Sequence, residues 1–511
     1  MDLESLVLVS LLLFSSTLFW FLFLSKFSKS PKTHSSTTAI PKSYPIFGSS
    51  FSIAANFHRR LQWTSDILQT IPSSTFVLHR AFGSRQVYTA NPAVVQHILK
   101  TNFHCYNKGP AFHQSLVEFL GDGIFNTDGE TWKFQRQISS HEFNTKSLRK
   151  FVETVVDVEL SDRLLPILSE ASKNQTIIPN FQDILQRFTF DNICIIAFGF
   201  DPEYLLPSLP ETAFAKAFDD SSVISGERFN AATPLIWKLK KMLNIGTERR
   251  LKEAVAEVRG LATRIVREKK KELIEKSELE SLDILSRFLN SGHSDEAFVV
   301  DIVISFILAG RDTTSAALTW FFWLLSKHNH VENEIIKEIT GKSETVSYDE
   351  VKGMVYTHAA LCESMRLYPP VPLDSKEVGH DDVLPDGTLV EKGWRVTYHV
   401  YAMGRSEKIW GPDWAEFRPE RWLRRVEDGK WSFVGMDPYS YPVFQAGPRV
   451  CLGREMAFLQ MKRLVAGIMR EFRVVPAMDE GIEPEFDSYL TSIMKGGFPV
   501  KIEKQKYDAD E

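Results

Sequence analysis

Ten residues, Phe444-Gln-Ala-Gly-Pro-Arg-Val-Cys-Leu-Gly453, constrain this chain more than any other feature in it. Cys451 lies in a turn punctuated by Gly447, Pro448 and Gly453 that runs into a predicted helix. A thiolate persists as a metal ligand only if its charge is stabilised, and the bare N–H groups and dipole of a helix N-terminus do that. Glycine lets the backbone bend sharply or lie against a flat ring where a Cβ would collide. Arg449, two residues before the thiol, then reaches an anionic edge of such a ring. A lone cysteine in a turn is ordinarily a packing residue. Here every position of Phe-x-x-Gly-x-Arg-x-Cys-x-Gly is filled, so the stretch reads as a haem-iron ligand loop. On that reading Cys451 is expected to be the axial thiolate, with Phe444, Arg449 and Gly453 as cofactor contacts and Arg449 within reach of a propionate.

The rest of the chain excludes several other classes. With 511 residues, 43% hydrophobic content and a net charge of -5, it can bury a large core and has no bias toward nucleic acid. Cys105, Cys194, Cys362 and Cys451 show no C-x-x-C pairing, which suggests neither zinc nor a disulfide framework but reduced surroundings. Leu6 to Leu24 is uncharged and long enough to span a bilayer as a helix. It exceeds a typical signal-peptide core, follows no basic segment and lacks a small-residue cleavage site before Lys26. Asp2 and Glu4 precede it, while Lys26, Lys29 and Lys32 follow, a bias that puts the downstream chain in the cytosol. Residues 1–25 are therefore expected to be an uncleaved signal anchor. Residues 26–48, ending in Pro41, Pro45 and Gly48, are expected to form a semi-rigid extended hinge.

Further along, residues 75–79 and 86–89 read as strands joined around Gly83. Most later segments read as helical. Trp132 and Arg136 are four apart and share a helix face. Residues 251–266 have apolar residues at helical spacing and lead into a charged tract at 267–280, which predicts a surface helix and loop. A helix is predicted from an N-cap at Ser294 to about Lys327, on the order of 50 Å long. Its middle reads Ala309-Gly310-Arg311-Asp312-Thr313-Thr314. A mid-helix glycine costs about 1 kcal/mol relative to alanine, and close approach to a macrocycle would account for Gly310. Two readings of Thr313 stand: its hydroxyl bonds back one turn and bends the helix, or Thr313 and Asp312 hold water and relay protons. Glu363 and Arg366, three apart, share a face of a helix predicted over 356–368.

These pieces occur in the order Trp132-x-x-x-Arg136, Ala309-Gly-x-Asp-Thr-Thr314, Glu363-x-x-Arg366, Pro419-Glu-Arg-Trp422, then the cysteine loop, and that order resembles the cytochrome P-450 monooxygenases. The resemblance implies a mainly α fold with small β-sheets (α+β), one haem-thiolate catalytic domain over 49–511, and haem b as cofactor. It implies that Trp132 and Arg136 clamp a propionate, that Asp312 and Thr313 are the catalytic proton relay, and that buried Glu363, Arg366 and Arg421 lock the ligand loop. No G-x-G-x-x-G between strand and helix and no P-loop is found, so electrons come from a partner. The implied partner is NADPH-cytochrome P-450 reductase. Lys133, Lys146, Arg149, Lys150, Lys462 and Arg463 form either its basic docking face or a solvated surface.

The longer strings Ala309 to Trp323, Phe134 to Phe143 and Tyr441 to Arg449 look like the plant fatty-acid ω-hydroxylase branch. That resemblance implies O₂- and NADPH-dependent hydroxylation of medium- and long-chain fatty acids at or near the methyl end. It also implies pocket positions at Val371, Leu373, Ile493 and Met494, and a single-pass protein of the endoplasmic reticulum membrane whose catalytic domain faces the cytosol. The neighbouring reading is oxidation of a fatty-acid-derived hormone conjugate such as a jasmonoyl amino acid. Two others are a haem-thiolate isomerase or dehydratase, whose members depart from the intact Ala-Gly-x-Asp-Thr-Thr element, and a non-catalytic haem carrier.

Overall fold

A single long helix passes through the middle of the structure, and both halves of the core assemble on it. The computed structural model describes residues 40–505 apart from 142, 144, 211, 232, 276–282, 293–294, 344–345, 428 and 480. The expected anchor at 1–25 and the first part of the hinge lie outside the described residues. Among the described residues no helix is long and apolar enough to cross a membrane. The helices that bear on the site are α1 (Gly109–Leu120), α2 (Gly129–Ser140), α3 (Phe181–Phe198), α4 (Ala213–Asn230), α5 (Pro234–Leu243), α6 (Gly246–Glu275), α7 (Glu296–Ser326), α8 (Val355–Leu367) and α9 (Arg454–Glu471). The strands nearest the site are β1 (Thr75–His79), β2 (Arg85–Thr89), β3 (Tyr106–Asn107), β4 (Asp374–Val378), β5 (Arg395–Tyr398), β6 (Phe486–Ser488) and β7 (Ser492–Met494). The first five pair in the order β1-β2-β5-β4-β3.

The central helix, α7, starts one residue later than expected: Asp295 caps it, its carboxylate accepting the Ala297 N–H at 3.0 Å. Ser294, the expected cap, lies outside the described residues. Most of α7 is buried all round, which is what a helix with almost no polar face must do. Its N-terminal half packs with α3, α4 and α6, and its C-terminal half with α8 and α9, where Trp320 stacks flat on Tyr368 at 4.1 Å. The expected explanation of Gly310 is corrected here. A Cβ on Gly310 would stand 2.5 Å from Ile193 Cγ1 on α3, so the glycine exists for a close helix crossing.

The expected hairpin forms between β1 and β2, with Thr75 opposite Thr89. The end of the expected extended hinge is different: Tyr44 and Gly48 exchange backbone hydrogen bonds across a closed turn that includes Pro45. The Ser49 N–H then donates to His79, docking that turn on β1. Gly48, at φ +54, has the His79 and Arg80 carbonyls where a side chain would go.

Candidate active site

The cysteine loop is held by its own backbone. Gly447 to Arg449 make one 3₁₀ turn, and the Cys451 N–H donates to the Phe444 carbonyl at 2.8 Å. Gly447 has φ +64 and lies against the Leu99 carbonyl, so protein backbone rather than a ring excludes a Cβ at this position. Gly453 caps α9, whose first turn begins at Arg454. The Cys451 sulfur takes backbone N–H bonds from Gly453 and Arg454 and feels the Arg136 and Arg454 guanidiniums. Burial is the larger influence and pushes the thiol up, while these donors pull toward the thiolate; a metal bound there would complete the ionisation. Cys105, Cys194 and Cys362 are buried, whereas Cys451 is reachable from solvent although protein closely surrounds it. The sulfur therefore looks into a recess.

Trp132 and Arg136, one turn apart on α2, stand beside that recess. The Arg136 guanidinium lies 6.0 Å from the Trp132 ring, and its largest favourable electrostatic influence is Cys451. Neither the guanidinium nor the indole N–H has a hydrogen-bond acceptor among the described residues. Arg449 packs 4.4 Å from the same indole and donates to the Asp128 carboxylate at 2.7 Å and the Thr127 carbonyl at 2.9 Å. Asp128 is in turn held by the Lys108 and Gly109 N–H groups. A reachable thiol on a helix N-terminus, with an unmatched guanidinium and indole N–H next to it, is a donor set that suits a metal-bearing ring with anionic edges. Haem fits these residues. Phe444, partly buried, packs at a tilt on Phe458 at 5.2 Å and supplies the carbonyl that closes the loop.

The structure separates the two relay candidates. The Thr313 hydroxyl donates to the Ala309 carbonyl at 2.7 Å, and α7 remains α-helical through this point. Asp312 is buried; one carboxylate oxygen takes Arg311 at 2.7 Å and the other takes the Thr491 hydroxyl at 3.4 Å. Burial pushes Asp312 up to about 6, with Arg311 pulling the other way. No hydrogen bond joins Asp312 to Thr313. Arg311 also pairs with Asp219 on α4 at 2.8 Å, so one guanidinium spans the carboxylates of two helices. The sequence reading missed Asp219 and Thr491, which lie far off in the chain and carry no motif. Arg311 was visible inside the motif but not singled out.

Glu363 and Arg366 form the expected pair, fully buried and 2.8 Å apart, and Arg421 reaches Glu363 at 3.3 Å. Trp422 donates its indole N–H to the same carboxylate at 2.9 Å, and Arg366 also binds the Gly404, Trp414 and Glu416 carbonyls. Tyr441 packs on Trp422 and donates to the Cys362 carbonyl, which ties this network to the segment leading into the ligand loop. A second anchor was not foreseen. Buried Asp374 on β4 accepts from Lys108, Lys376, Tyr398 and Gln445 at 2.7 to 2.9 Å, and Lys108 and Lys376 hold it far below the carboxylate range despite burial. Gln445 thus pins the cysteine loop to the sheet.

Two expectations are corrected. Lys462 and Arg463 are buried, donating to the Lys352 carbonyl and pairing with Asp157, because they lie on the core face of α9; they leave the proposed docking face. Met494 is buried, its N–H on Gln182, and belongs to the core; Val371, Leu373 and Ile493 are partly buried.

Comparison with known proteins agrees with this geometry. The family model for cytochrome P450 matches residues 39–501. The chain is 78% identical to cytochrome P450 94A2 of Vicia sativa, over 99% of each protein. It is 65% identical to cytochrome P450 94A1 of the same plant over 91% of each, and 45% identical to cytochrome P450 94B1 of Arabidopsis thaliana over 94% of each. A match spanning nearly the whole chain, on top of a recessed helix-capping thiol and the buried Glu363 network, shows that this protein belongs to the cytochrome P450 family of haem-thiolate monooxygenases.

Proposed function

We propose that the protein hydroxylates medium- and long-chain fatty acids at or near the methyl end, using O₂ and electrons from NADPH delivered by a membrane-bound cytochrome P-450 reductase. The observation that carries the reading is the recessed Cys451 thiol with unmatched Arg136 and Trp132 donors beside it, in a chain whose Ala309 to Trp323 string resembles the fatty-acid ω-hydroxylase branch. Haem bound there supplies reductive activation of dioxygen. The protein's own residues do the rest. Arg136 and the Trp132 indole would hold the anionic ring edge, the α9 N-terminus and Arg454 would stabilise the Cys451 thiolate, and Glu363 with its arginines keeps the loop from shifting. Thr313 retains its oxygen lone pairs while donating to Ala309, so it can accept and orient a water, and Asp312 titrates in a range suited to passing protons.

A location on the cytosolic face of the endoplasmic reticulum belongs to the same proposal. It is supported by the uncharged run Leu6 to Leu24 with lysines after it, and by α5, which presents exposed Leu235, Ile236, Leu239, Met242 and Leu243 beside three lysines. The reductase would dock on Lys133, Lys146, Arg149 and Lys150.

Product analysis of the protein reconstituted with reductase tests the activity. Saturated fatty acids of increasing length and a jasmonoyl amino acid are offered in parallel, with and without NADPH. NADPH-dependent alcohols at or near the methyl end of the fatty acids are expected. Turnover without NADPH, or of the conjugate alone, would overturn the assignment.

A further inference from the structure

At one end of the central sheet's strands, three arginines converge where few positive charges would be placed without a reason. Arg60 opens the helix before β1, Arg80 follows β1, and Arg395 opens β5. Arg395 lies opposite Gln86 on one side and Glu377 on the other. Arg395 is brought down to about 10, first by burial, then by Arg80 and Arg60, with Tyr88 and Glu377 opposing. Arg80 spends its donors on neutral groups, the Gln86 side chain at 3.1 Å and the Ala231 carbonyl at 2.6 Å. That second bond caps the C-terminal end of α4, a structural duty that accounts for Arg80 alone. Arg395 donates to no acceptor among the described residues and lies 5.5 Å over the Phe229 ring. Its nearest acid, Glu377, accepts the Ala111 N–H at the start of α1 and makes no ion pair with it. A largely buried guanidinium such as Arg395, left without a hydrogen-bonded acid, is costly to the folded chain, and an anion bound there offsets that cost.

The surroundings say which kind of anion. Phe229 packs at a tilt on Phe112 of α1, ring centres 5.0 Å apart, and the Lys108 ammonium lies 4.3 Å over Phe112. The backbone of Lys108 and Gly109 binds Asp128, the partner of Arg449. An aromatic wall therefore runs from Arg395 toward the residues that surround Cys451. Tyr398, three positions along the same strand and therefore on its other face, bonds Asp374 and Gln445, so the anchor of the cysteine loop lies about 10 Å along the strand from Arg395. A molecule that is anionic at one end and apolar along its length matches this arrangement.

We propose that Arg395, flanked by Arg80 and Arg60, is the receptor for the substrate's carboxylate, with Phe112 and Phe229 lining the apolar part and the opposite end of the molecule directed to the Cys451 side. This deepens the proposed function and rests on its premise that the substrate is a long carboxylate. It applies equally to a free fatty acid or a jasmonoyl amino acid, which present the same group.

The test is direct ligand binding to the holoprotein, followed by equilibrium dialysis with dodecanoic acid, its methyl ester and jasmonoyl-isoleucine. Wild type is expected to prefer the acid over the ester, and the preference should shrink as salt is raised. Arg395→Met should weaken the acid about ten- to a hundredfold, leave the ester within about twofold, and Arg395→Lys should recover part of the loss. An unchanged acid-to-ester ratio in Arg395→Met, or equal weakening of both ligands, would overturn the proposal. Haem content and the Arg395→Lys variant guard against a folding defect being read as a binding effect. If the conjugate binds and is oxidised but dodecanoic acid is not, the fatty-acid reading fails while the Arg395 effect on the conjugate still decides this inference.

Discussion

A threonine hydroxyl has one hydrogen to give, and Thr313 gives it to Ala309, so whatever it does for a second partner it does as an acceptor. That separates its structural from its chemical role. Thr313→Ser keeps the bond and the acceptor and should retain most product formed per NADPH. Thr313→Val keeps the shape and loses both, and should lower product about 10²- to 10⁴-fold in the proton-dependent step while NADPH consumption and peroxide release continue. Full product per NADPH in Thr313→Val would leave the residue a packing element. Asp312 behaves differently because it is ion-paired and pushed up to about 6. As pH falls through that value the carboxylate takes up a proton and releases Arg311 to Asp219. The yield of product should therefore show an acidic limb near pH 6 in wild type that is absent from Asp312→Asn, whose overall turnover is lower. An identical limb in both would assign that titration elsewhere.

At the scale of elements, the crossing of α3 and α7 turns on Gly310. Alanine is the better helix former by about 1 kcal/mol, yet its methyl would collide with Ile193, and overpacking costs about 1–3 kcal/mol. Gly310→Ala should therefore lower the melting temperature, and in an Ile193→Ala background the same change should be neutral or stabilising. A destabilisation of equal size in both backgrounds would point to contact with the cofactor, the reason first expected from the sequence. The contrast shows what was legible. Local grammar worked: α7, β1, β2, α8 and the Glu363–Arg366 pair lie within two residues of their predicted places, since periodicity and turn residues act over short spans. Partners brought by distant chain did not show. Ile193 against Gly310, Asp219 on Arg311, Asp128 on Arg449 and Lys108 on Asp374 join residues many positions apart, and no local pattern marks them. The burial of Lys462 and Arg463 was missed for the same reason: their helix was legible, but the face packed on Asp157 and Lys352 was not.

For the molecule as a whole, one cluster of exposed apolar side chains lies on α5, where Leu235 is 64% and Met242 74% exposed. Such side chains yield about 1.5–3 kcal/mol each when fully buried. A protein lacking the residues before Ser30 should still bind phospholipid vesicles in a flotation assay, and replacing Leu235, Leu239 and Met242 with serine should abolish that residual binding without altering the haem spectrum. Complete release by the truncation alone would confine membrane attachment to the N-terminal segment. The sheet carries a different consequence. Arg395 and Tyr398 are the two ends of one four-residue strand, and Tyr398 is bolted through Gln445 to the cysteine loop. The span between them is set by backbone pitch, which no side-chain substitution can lengthen or shorten. On the proposal that Arg395 grips the carboxylate, the anchor stays put whatever the length of the acid, so the methyl end of a longer chain comes to the Cys451 side only by coiling its middle.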